Sequence, residues 1–323
     1  MVSLLLILAL TTCILWLLIA VELASGDRKL GVLEDVTPDL PAPAPKVSII
    51  IPARNEERNI QAALQSVLGQ EYRNLEFIVI DDRSTDGTAS ILANMAGSDP
   101  RLRVHTITQL PPGWLGKNHA LHYGAAQAAG DVLLFTDADV VMKPDTISRA
   151  VTYLCRQEID HLCMMPRVIV TSRMMGVFIM TFAVFFWLYT LPWRAAHPHS
   201  RKHIGIGGFN MIRARVYRAI GGHGPIALRP DDDVKLGKLV KLHGYRQRLL
   251  HGENHLAVAW YDSLRELIDG LMKNAFASVD YRISLIAGST LLHLAFILWP
   301  YLALVSMSGV TWWLNLAAVV IMS

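Results

Sequence analysis

The chain has 323 residues, a formal net charge of +3 and a hydrophobic fraction of 52%, with a mean hydropathy of +0.34. Soluble domains average about 45–50% apolar residues, so this composition indicates that part of the chain lies in lipid. The nearly even charge balance and the lack of a dense Lys/Arg run argue against a nucleic-acid partner. The three cysteines show no CxxC spacing and no histidine at zinc spacing, so they predict neither a disulfide framework nor a zinc site.

An apolar run begins the chain. Residues 2–22 are nearly all apolar and long enough to cross a hydrocarbon core of about 30 Å as a helix. We predict a transmembrane anchor over residues 1–23; the alternative, a cleaved signal peptide, lacks the basic residues that should precede the run. Arg28 and Lys29 follow it and predict, by the positive-inside rule, that the next part of the chain is cytosolic. A proline-rich, extended linker is predicted at residues 24–45.

Short runs of β-branched residues predict an α/β domain over residues 46–262. Residues 46–52 and 75–82 show no alternation with polar residues, as expected of parallel strands buried on both faces. Apolar residues at helical spacing in 56–68 join these strands into a βαβ unit. Further strands are predicted at 102–106 and 131–136, and further helices at 84–97 and 118–129. The fold class is therefore α/β with a mostly parallel sheet.

Polar residues stand where three of these strands end. In chain order they are Asn55 and Glu56, then Asp81 and Asp82, then Asp137 and Asp139. Ligands of open α/β sheets bind beyond the carboxyl ends of the strands, so this edge is the predicted site. Alternate carboxylates such as Asp137 and Asp139 suit a hard cation of the kind that neutralises a departing diphosphate. An isolated DxD is a weak signal because Asp also favours turns, and turn carboxylates are the alternative interpretation.

The order of four motifs is a stronger signal than any one of them. The segments SIIIPARNEE, IVIDDRSTDGT and LLFTDAD, with a later acidic motif, resemble the family 2 glycosyltransferases of GT-A fold over residues 46–282. The resemblance implies transfer of a sugar from a nucleotide diphosphate, with Asp139 and Asp137 at the metal and diphosphate. It implies Mg²⁺ or Mn²⁺ as the cofactor. It also implies a pocket for the nucleotide of a UDP-sugar, lined by Pro52, Asn55, Glu56, Asp81 and Asp82.

The segment PPGWLGKN at 111–118 precedes the predicted helix that leads into the fourth strand. Lys117 adds a point charge to a helix start, which already favours anions, and this suits a diphosphate. The alternative is a solvated loop lysine. The GWLGKxxAL pattern resembles the lipid-directed branch of the family, which includes ceramide glucosyltransferases and hopanoid- and carotenoid-associated glycosyltransferases.

Residues 205–211, GIGGFNM, resemble the acceptor loop of the family. Glycine lets a backbone approach a ligand closely. We expect Gly207 and Gly208, with an exposed Phe209 ring and the Asn210 amide, to form a wall on the acceptor side. The alternative is a buried glycine-rich turn.

The later acidic motif, PDDDVKLG at 230–237, resembles the EDxxLG motif that carries the catalytic base in this family. The resemblance assigns the base to Asp233. Asp232 stands where the family has Glu, so the choice between Asp232 and Asp233 stays open. Adjacent carboxylates raise each other's pKa, which moves a weak base toward the operating pH. An acidic cap for a helix at 234–243 is the alternative role.

Processive members of the family carry a Q/RxxRW motif that holds the growing polymer, and this sequence has no clean copy of it. The nearest segment keeps Arg265 and Lys273 as candidate phosphate contacts but has no Arg-Trp pair. This argues for a single transfer rather than polymer synthesis. His251 or His255 could add a late metal ligand, although their spacing fits no ligand template.

The apolar segments predict that the site opens at a membrane surface. Residues 174–191 lie between the DxD and the acidic motif, and both motifs must face one active site. This segment is therefore predicted to be interfacial or re-entrant rather than a single crossing. Residues 263–282 are predicted as an amphipathic interfacial helix, and residues 283–323 as C-terminal transmembrane helices.

With the resemblance, these features predict an inverting, metal-dependent, non-processive transfer of a hexose, glucose above all, from a UDP-sugar to a membrane lipid hydroxyl. The predicted location is the cell inner membrane, with several spans and the catalytic domain facing the cytoplasm. The alternatives are a processive polysaccharide synthase and a nucleotide-sugar-binding membrane partner without turnover. The sugar, the acceptor lipid and the oligomeric state stay open.

Overall fold

The computed structural model describes residues 3–260 and 263–322, apart from the side chains of residues 264 and 273–275. Strands occur only in the middle of the described chain, where they alternate with helices. The strands are β1 Gly31–Val32, β2 Val47–Ala53, β3 Leu75–Asp82, β4 Leu102–Ile107, β5 Val132–Phe135, β6 Val140–Met142, β7 His161–Met165, β8 Arg167–Val168, β9 Asn210–Arg213, β10 Gln247–His251 and β11 Leu256–Val258.

Helices precede, separate and follow these strands. Short 3₁₀ turns lie at Leu33–Asp35 and Gly224–Ile226, and a π-helical turn lies at Leu294–Leu298. The α-helices are α1 Leu4–Asp27, α2 Ile60–Leu68, α3 Thr88–Ser98, α4 Gly116–Gln127, α5 Thr146–Arg156, α6 Arg173–Thr190, α7 Pro192–Ala195, α8 Ala214–Ala219, α9 Asp232–Leu242, α10 Leu264–Ser278, α11 Ile283–His293, α12 Trp299–Ser306 and α13 Gly309–Met322.

Two compact units make up the chain. The helical unit comprises Met1–Lys29 and Leu271–Ser323, and the sheet unit comprises Leu30–Gly270. All three strand-end motifs and the later acidic motif lie in the sheet unit. The predicted site is therefore built within one compact body.

The main sheet of the sheet unit has eight strands in the order β1-β10-β7-β9-β5-β2-β3-β4. β9 is antiparallel to both of its neighbours, and the other pairings in this sheet are parallel. A second, smaller sheet contains β6, β11 and β8. The predicted α/β class with a mostly parallel sheet is confirmed.

The unbroken apolar strands are buried because helices cover both faces of the main sheet. All eight residues of β3 are buried. Ile49 and Phe77 pack in one core with α2, α3 and α5. Ile50 and Ile78 point to the opposite face, where they pack with α4, α8 and α9. Since successive side chains of a strand point to opposite faces, β2 and β3 each supply both cores.

Two predicted helices begin later than the apolar pattern indicated. The helix expected at 56–68 begins at Ile60, and the helix expected at 84–97 begins at Thr88. The residues before each helix form a loop. The backbone N–H of Glu56, in the first loop, donates to Oγ1 of Thr88, the first residue of α3, at 2.8 Å. These loops carry the polar residues of the predicted site.

The predicted apolar segment at 174–191 forms α6, a continuous helix of the sheet unit. The Phe182 ring lies 5.2 Å from the Trp260 ring, and Phe186 packs on buried residues of β7 and β10. On the other face of α6, Met174 and Val177 are 62% and 64% exposed. Together α6 and α7 are long and apolar enough to cross a membrane, and the interfacial placement of this segment stays a prediction.

α10 corresponds to the predicted amphipathic segment at 263–282. It buries Leu267 and exposes Ile268, Met272 and Phe276. One side of this helix is therefore apolar and exposed, as an interfacial helix requires. Its location at a membrane stays a prediction.

The helical unit contains two stretches that are long and apolar enough to cross a membrane, α1 and Ile283–Ser306. They are joined by a hydrogen bond in which Nε1 of Trp16 donates to the carbonyl of Phe296 at 2.8 Å. α13 is apolar but shorter. The predicted anchor and C-terminal spans are thus helical, and their crossing of a bilayer stays a prediction.

Candidate active site

The tips of β2 and β3 are joined by hydrogen bonds beyond the sheet. Asn55 and Arg83 each adopt a left-handed backbone, with φ of 58°, which turns the chain sharply after its strand. Oδ1 of Asn55 accepts from the Thr85 N–H at 2.8 Å, and the Asn55 N–H donates to Oγ of Ser84 at 3.1 Å. Pro52 lies just before this turn, within β2. The two predicted nucleotide-binding loops therefore form one surface.

Asp81 and Asp82 close β3 and are both buried. The Arg83 guanidinium donates to both carboxylate oxygens of Asp82, at 2.8 and 2.9 Å. A Cβ atom added to Gly116 would lie 2.2 Å from Oδ2 of Asp82. Only glycine therefore lets the first residue of α4 pack against this carboxylate, and the contact places the start of α4 beside the predicted nucleotide-binding loops.

Lys117, in the first turn of α4, links this edge of the sheet to the DxD. Its Nζ atom lies 2.6 Å from Oδ1 of Asp137. Burial by itself would lower the pKa of the Lys117 ammonium, but the carboxylates of Asp137, Asp232 and Asp233 raise it. Lys117 therefore carries a fixed positive charge among acidic side chains, where a diphosphate would also be attracted.

Three carboxylates around the DxD repel one another. Burial, followed by the charges of Asp137 and Glu56, raises the pKa of Asp139 to about 7. Burial, followed by Asp137 and Asp86, also raises the pKa of Glu56. In the described part of the chain, no three His, Cys, Asp or Glu side chains are gathered closely enough to enclose a metal ion. The carboxylates of Asp137 and Asp139 are oxygen donors of the kind that a hard divalent cation prefers, and these two residues would hold such a cation.

Asp232 and Asp233 occupy the first turn of α9, which begins two residues earlier than predicted. Oδ2 of Asp233 accepts from the Gly207 N–H at 2.8 Å, and Oδ1 accepts from the Val234 N–H at 2.7 Å. Burial and the charge of Asp232 raise the pKa of Asp233, and Lys117 opposes this increase. Burial likewise raises the pKa of Asp232. Asp233 is thus an oriented carboxylate whose proton affinity is increased.

Two glycines allow the loop before β9 to contact α9 directly. A Cβ atom on Gly205 would lie 1.8 Å from the carbonyl oxygen of Asp233, and one on Gly237 would lie 1.9 Å from that of Ile204. No side chain fits in either position. Gly205 of the GIGG segment and Gly237 of the acidic motif therefore permit the same contact between this loop and α9. The contact holds Gly207 against Asp233.

One cavity of the sheet unit joins the DxD to the acidic motif. Asp137 and Lys117 line it together with Asp232 and Asp233. Its lining residues are Lys117, Leu121, Phe135, Thr136, Asp137, Gly207, Asn210, His223, Asp232 and Asp233. Residues separated by roughly a hundred positions in the chain thus face the same space.

The glycine-rich segment is only partly as expected. Gly207 lines the cavity, and a Cβ atom there would lie 2.8 Å from Oδ2 of Asp137. The expectation of an exposed Phe209 is wrong, because its ring is fully buried in the core beneath the sheet. Gly208 is buried as well. Asn210 lines the cavity together with Gly207, and its buried side chain hydrogen-bonds to Nε2 of His161. The hydrophobic effect draws an aromatic ring at the start of a central strand into the core.

Arg265, His251 and His255 are not among the residues that line the cavity. Arg265 is exposed on α10, and the Lys273 side chain lies outside the described residues. Nδ1 of His251 lies 2.9 Å from Oε1 of Glu253, and Nε2 of His255 lies 3.5 Å from Oδ1 of Asp145. These local pairs account for both histidines without a metal at the DxD.

Asn118 is a site residue that the sequence patterns did not single out. It is 1% exposed, and its Nδ2 lies within hydrogen-bonding distance of the carbonyl oxygens of Ile226 at 2.8 Å, Ala227 at 3.1 Å and Arg229 at 2.8 Å. The Leu115 N–H also donates to the Ala227 carbonyl at 2.9 Å. The start of α4, which carries Lys117, is therefore fastened to the loop that leads into Asp232.

His223 is a second residue that was missed. It is buried in the cavity wall, and its Nδ1 lies 2.7 Å from the hydroxyl oxygen of Tyr217. Burial lowers the pKa of His223 to about 3, so the ring is neutral at physiological pH. The only signal in the sequence was a histidine within a glycine-rich turn, which does not distinguish a cavity wall from a surface loop.

Comparisons of the sequence identify relatives of the sheet unit. The family described as Glycosyl transferase family 2 matches residues 48–221. The chain is 38% identical over 107 residues, or 32% of its length, to a 4,4'-diaponeurosporenoate glycosyltransferase of Staphylococcus haemolyticus. It is 34% identical over 96 residues, or 29% of its length, to a GalNAc(5)-diNAcBac-PP-undecaprenol beta-1,3-glucosyltransferase of Campylobacter jejuni. These matches span only 27% and 30% of those relatives.

A solved structure shares the fold of almost the whole chain. The mannosyltransferase PcManGT of Pyrobaculum calidifontis, in complex with GDP-Man and Mn²⁺, superposes with a TM-score of 0.63. The match covers 99% of this chain and 86% of the mannosyltransferase, at 22% sequence identity. The likeness confirms the predicted GT-A fold.

Proposed function

The chain belongs to glycosyl transferase family 2, and on that premise we propose that it transfers one hexose from a UDP-sugar to the hydroxyl group of a membrane lipid. The observation that carries the proposal is a cavity lined by Lys117, Asp137, Asp232 and Asp233. The proposal places the donor diphosphate and the acceptor hydroxyl together at these side chains, as a direct transfer requires.

The donor side of the proposed site is the edge formed by β2, β3 and the start of α4. The nucleotide would bind to the joined loops after β2 and β3, through Pro52, Asn55, Glu56, Asp81 and Asp82. Lys117 would neutralise part of the diphosphate charge, and the N-terminus of α4 would add its own favourable field. UDP is the nucleotide that the family resemblance implies, and glucose is the preferred sugar.

A divalent cation fits the same side. Asp137 and Asp139 would hold Mg²⁺ or Mn²⁺, which when bound stabilises the negative charge that develops on the leaving diphosphate. The raised pKa of Asp139 supports this proposal, because mutually repelling carboxylates gain most from a bound cation. The similar mannosyltransferase was solved with GDP-Man and Mn²⁺.

Asp233 is the proposed base. The acceptor oxygen would attack the anomeric carbon while the bond from that carbon to the diphosphate breaks, and Asp233 would take the hydroxyl proton. The hydrogen bond from the Gly207 N–H holds its carboxylate in place, and the raised pKa makes it a better proton acceptor at neutral pH. A single displacement of this kind inverts the configuration at the anomeric carbon. Asp232 would act by raising the pKa of Asp233 rather than by taking the proton.

Two observations favour a lipid as the proposed acceptor: the substrates named for two relatives and the long apolar helices of this chain. The two named relatives act on diaponeurosporenoate and on an undecaprenol-linked sugar, as their names state. α1 and Ile283–Ser306 are long and apolar enough for spans, which supports a multi-pass protein of the inner membrane with its sheet unit in the cytoplasm. The predicted boundaries, with an anchor at 1–23 and spans within 283–323, belong to this proposal.

The proposal is tested with the full chain purified in lipid extract and incubated with radiolabelled UDP-glucose and Mn²⁺. We expect label in one lipid band, lost with EDTA and in Asp233→Asn, and retained in Asp99→Asn, which removes a carboxylate from the surface end of α3. Label in a polymer would instead identify a processive synthase. Bound donor without transfer or hydrolysis would identify a nucleotide-sugar-binding partner.

A further inference from the structure

One half of the sheet unit is depleted of acidic residues. Residues 161–230 contain nine Lys or Arg side chains and no Asp or Glu, and residues 234–252 contain five and none. The chain as a whole has 30 Lys and Arg against 27 Asp and Glu. A long stretch of one sign within a balanced chain indicates a surface that attracts the opposite charge.

The fold gathers several of these cations around the segment at 194–203, which begins in the second half of α7. Nζ of Lys241, from α9, donates to the carbonyl of Ala195 at 2.9 Å and also to that of His197. Nη1 of Arg248, from β10, donates to the carbonyl of Ala196 at 2.8 Å. Two elements distant in the chain therefore bring positive charge to this segment, while Arg194 and Arg201 within it are exposed.

The close contact between Ile204 and Gly237 brings further cations together, because Lys238 follows Gly237 and Lys202 lies near Ile204 in the chain. Burial lowers the pKa of His203, and the charges of Lys238 and Lys202 lower it further. We define the basic surface as Arg194, Arg201, Lys202, Lys238 and Lys241.

The basic surface continues from an exposed apolar helix. α6 leads through α7 directly into the segment at 194–203. Met174, Val177 and Met180 of α6 are 62%, 64% and 66% exposed. An apolar helix whose C-terminal end leads into clustered cations is the pattern of elements that lie in the interface of a negatively charged bilayer, with apolar side chains among the acyl chains and cations among the headgroups.

We propose that the basic surface and the exposed face of α6 form a docking site for the surface of an anionic phospholipid bilayer. Charge complementarity favours an anionic bilayer as the occupant. A zwitterionic bilayer would match only the apolar face of α6, and free phosphate would match only the cations. Docking here orders the segment at 194–203, whose continuation through Gly205 and Gly207 reaches Asp233. The proposal concerns a binding surface, so it stands or falls independently of the sugar transfer.

Hydrogen exchange read by mass spectrometry tests the proposal on the full chain in nanodiscs. One set of discs contains phosphatidylcholine only, and the other contains about 30% phosphatidylglycerol. We expect the backbone amides of residues 196–203 to exchange at least about threefold more slowly in the anionic discs, and the difference to shrink at high salt because salt screens exposed charges. Equal exchange in both discs would overturn the proposal.

Matched variants identify the residues responsible. Arg201→Gln combined with Lys238→Gln should abolish the slowing caused by phosphatidylglycerol. Arg73→Gln combined with Lys143→Gln removes the same charge from exposed positions elsewhere in the sheet unit and should retain it. Slow exchange in β3 verifies that each variant is folded. Equal protection by inorganic phosphate in phosphatidylcholine discs would overturn the bilayer as the occupant, and this readout needs no turnover.

Discussion

The backbone N–H of Gly207 donates to Oδ2 of Asp233 at 2.8 Å, so a loop before β9 orients the carboxylate at the start of α9. The same glycine borders the DxD, because a Cβ atom there would lie 2.8 Å from Oδ2 of Asp137. Gly207 therefore lies between Asp137 and Asp233, the two carboxylates that the proposed reaction uses.

Gly207→Ala should therefore reduce transfer strongly with little loss of stability. The added methyl group must displace either the Asp137 carboxylate or the loop that holds Asp233, and we expect kcat to fall at least about tenfold. Steady-state kinetics on the purified variant measure this. The control is Gly97→Ala, where a Cβ atom meets nothing within 4 Å; it should keep full activity. Unchanged kcat in Gly207→Ala would contradict the assigned geometry.

Asn118→Ala should destabilise the sheet unit and uncouple donor cleavage from transfer. The substitution removes the shared donor of three carbonyls, and we expect a loss of about 2–3 kcal/mol in the free energy of unfolding. Because the loop before Asp232 loses its tie to α4, hydrolysis of UDP-sugar should rise relative to transfer.

The ratio of hydrolysis to transfer does not depend on how much enzyme is folded, so it separates a positioning role from simple instability. Exposed Asn94 on α3 supplies the control, and Asn94→Ala should change neither property. A destabilised Asn118→Ala enzyme with an unchanged ratio would limit Asn118 to a structural role.

As the pH falls, sugar transfer should be lost at a higher pH than it would be if the base were a carboxylate of ordinary pKa. Because the pKa of Asp233 is raised, its carboxyl group stays protonated to higher pH. Only the ionised carboxylate can take the proton of the acceptor hydroxyl. The rate should rise with pH, with a midpoint well above about 4. Initial rates at saturating donor measure it. Since Lys117 lowers this pKa, Lys117→Gln should move the midpoint of the residual activity upward, and a downward shift would contradict the role of Asp233.

Asp139→Asn should stabilise the metal-free protein at pH 8 and remove its response to Mn²⁺. The folded pKa of Asp139 is raised to about 7, so this group stabilises the folded state below the unfolded pKa near 4 and loses that contribution as pH rises through 7. Neutralising it should raise stability by about 2 kcal/mol. Thermal melts with and without Mn²⁺ test this; a wild type unaffected by Mn²⁺ would contradict the metal site.

The sequence alone determined the central strands and the edge at which the site lies. β3 was predicted with its observed bounds because an unbroken β-branched run is a local property, read without knowledge of its neighbours. The polar residues Asn55, Asp82 and Asp137 lie at or just beyond the ends of β2, β3 and β5, so parallel strands had to bring them to one edge. The GT-A fold followed from the order of the same motifs.

Tertiary structure decided which residues face the cavity. Asn118 bonds to Ile226 across 108 positions in the sequence, and no local pattern encodes such a partner. Phe209 resembles an exposed acceptor residue in its motif, yet its ring lies in the core because the residue directly precedes β9, a strand that pairs on both sides within the main sheet. The need for glycine at position 205 is visible only in the structure, where this residue lies against the backbone of α9. Burial, close contact and shared hydrogen bonds depend on where distant segments cross, whereas strand and helix patterns depend on neighbours in the chain.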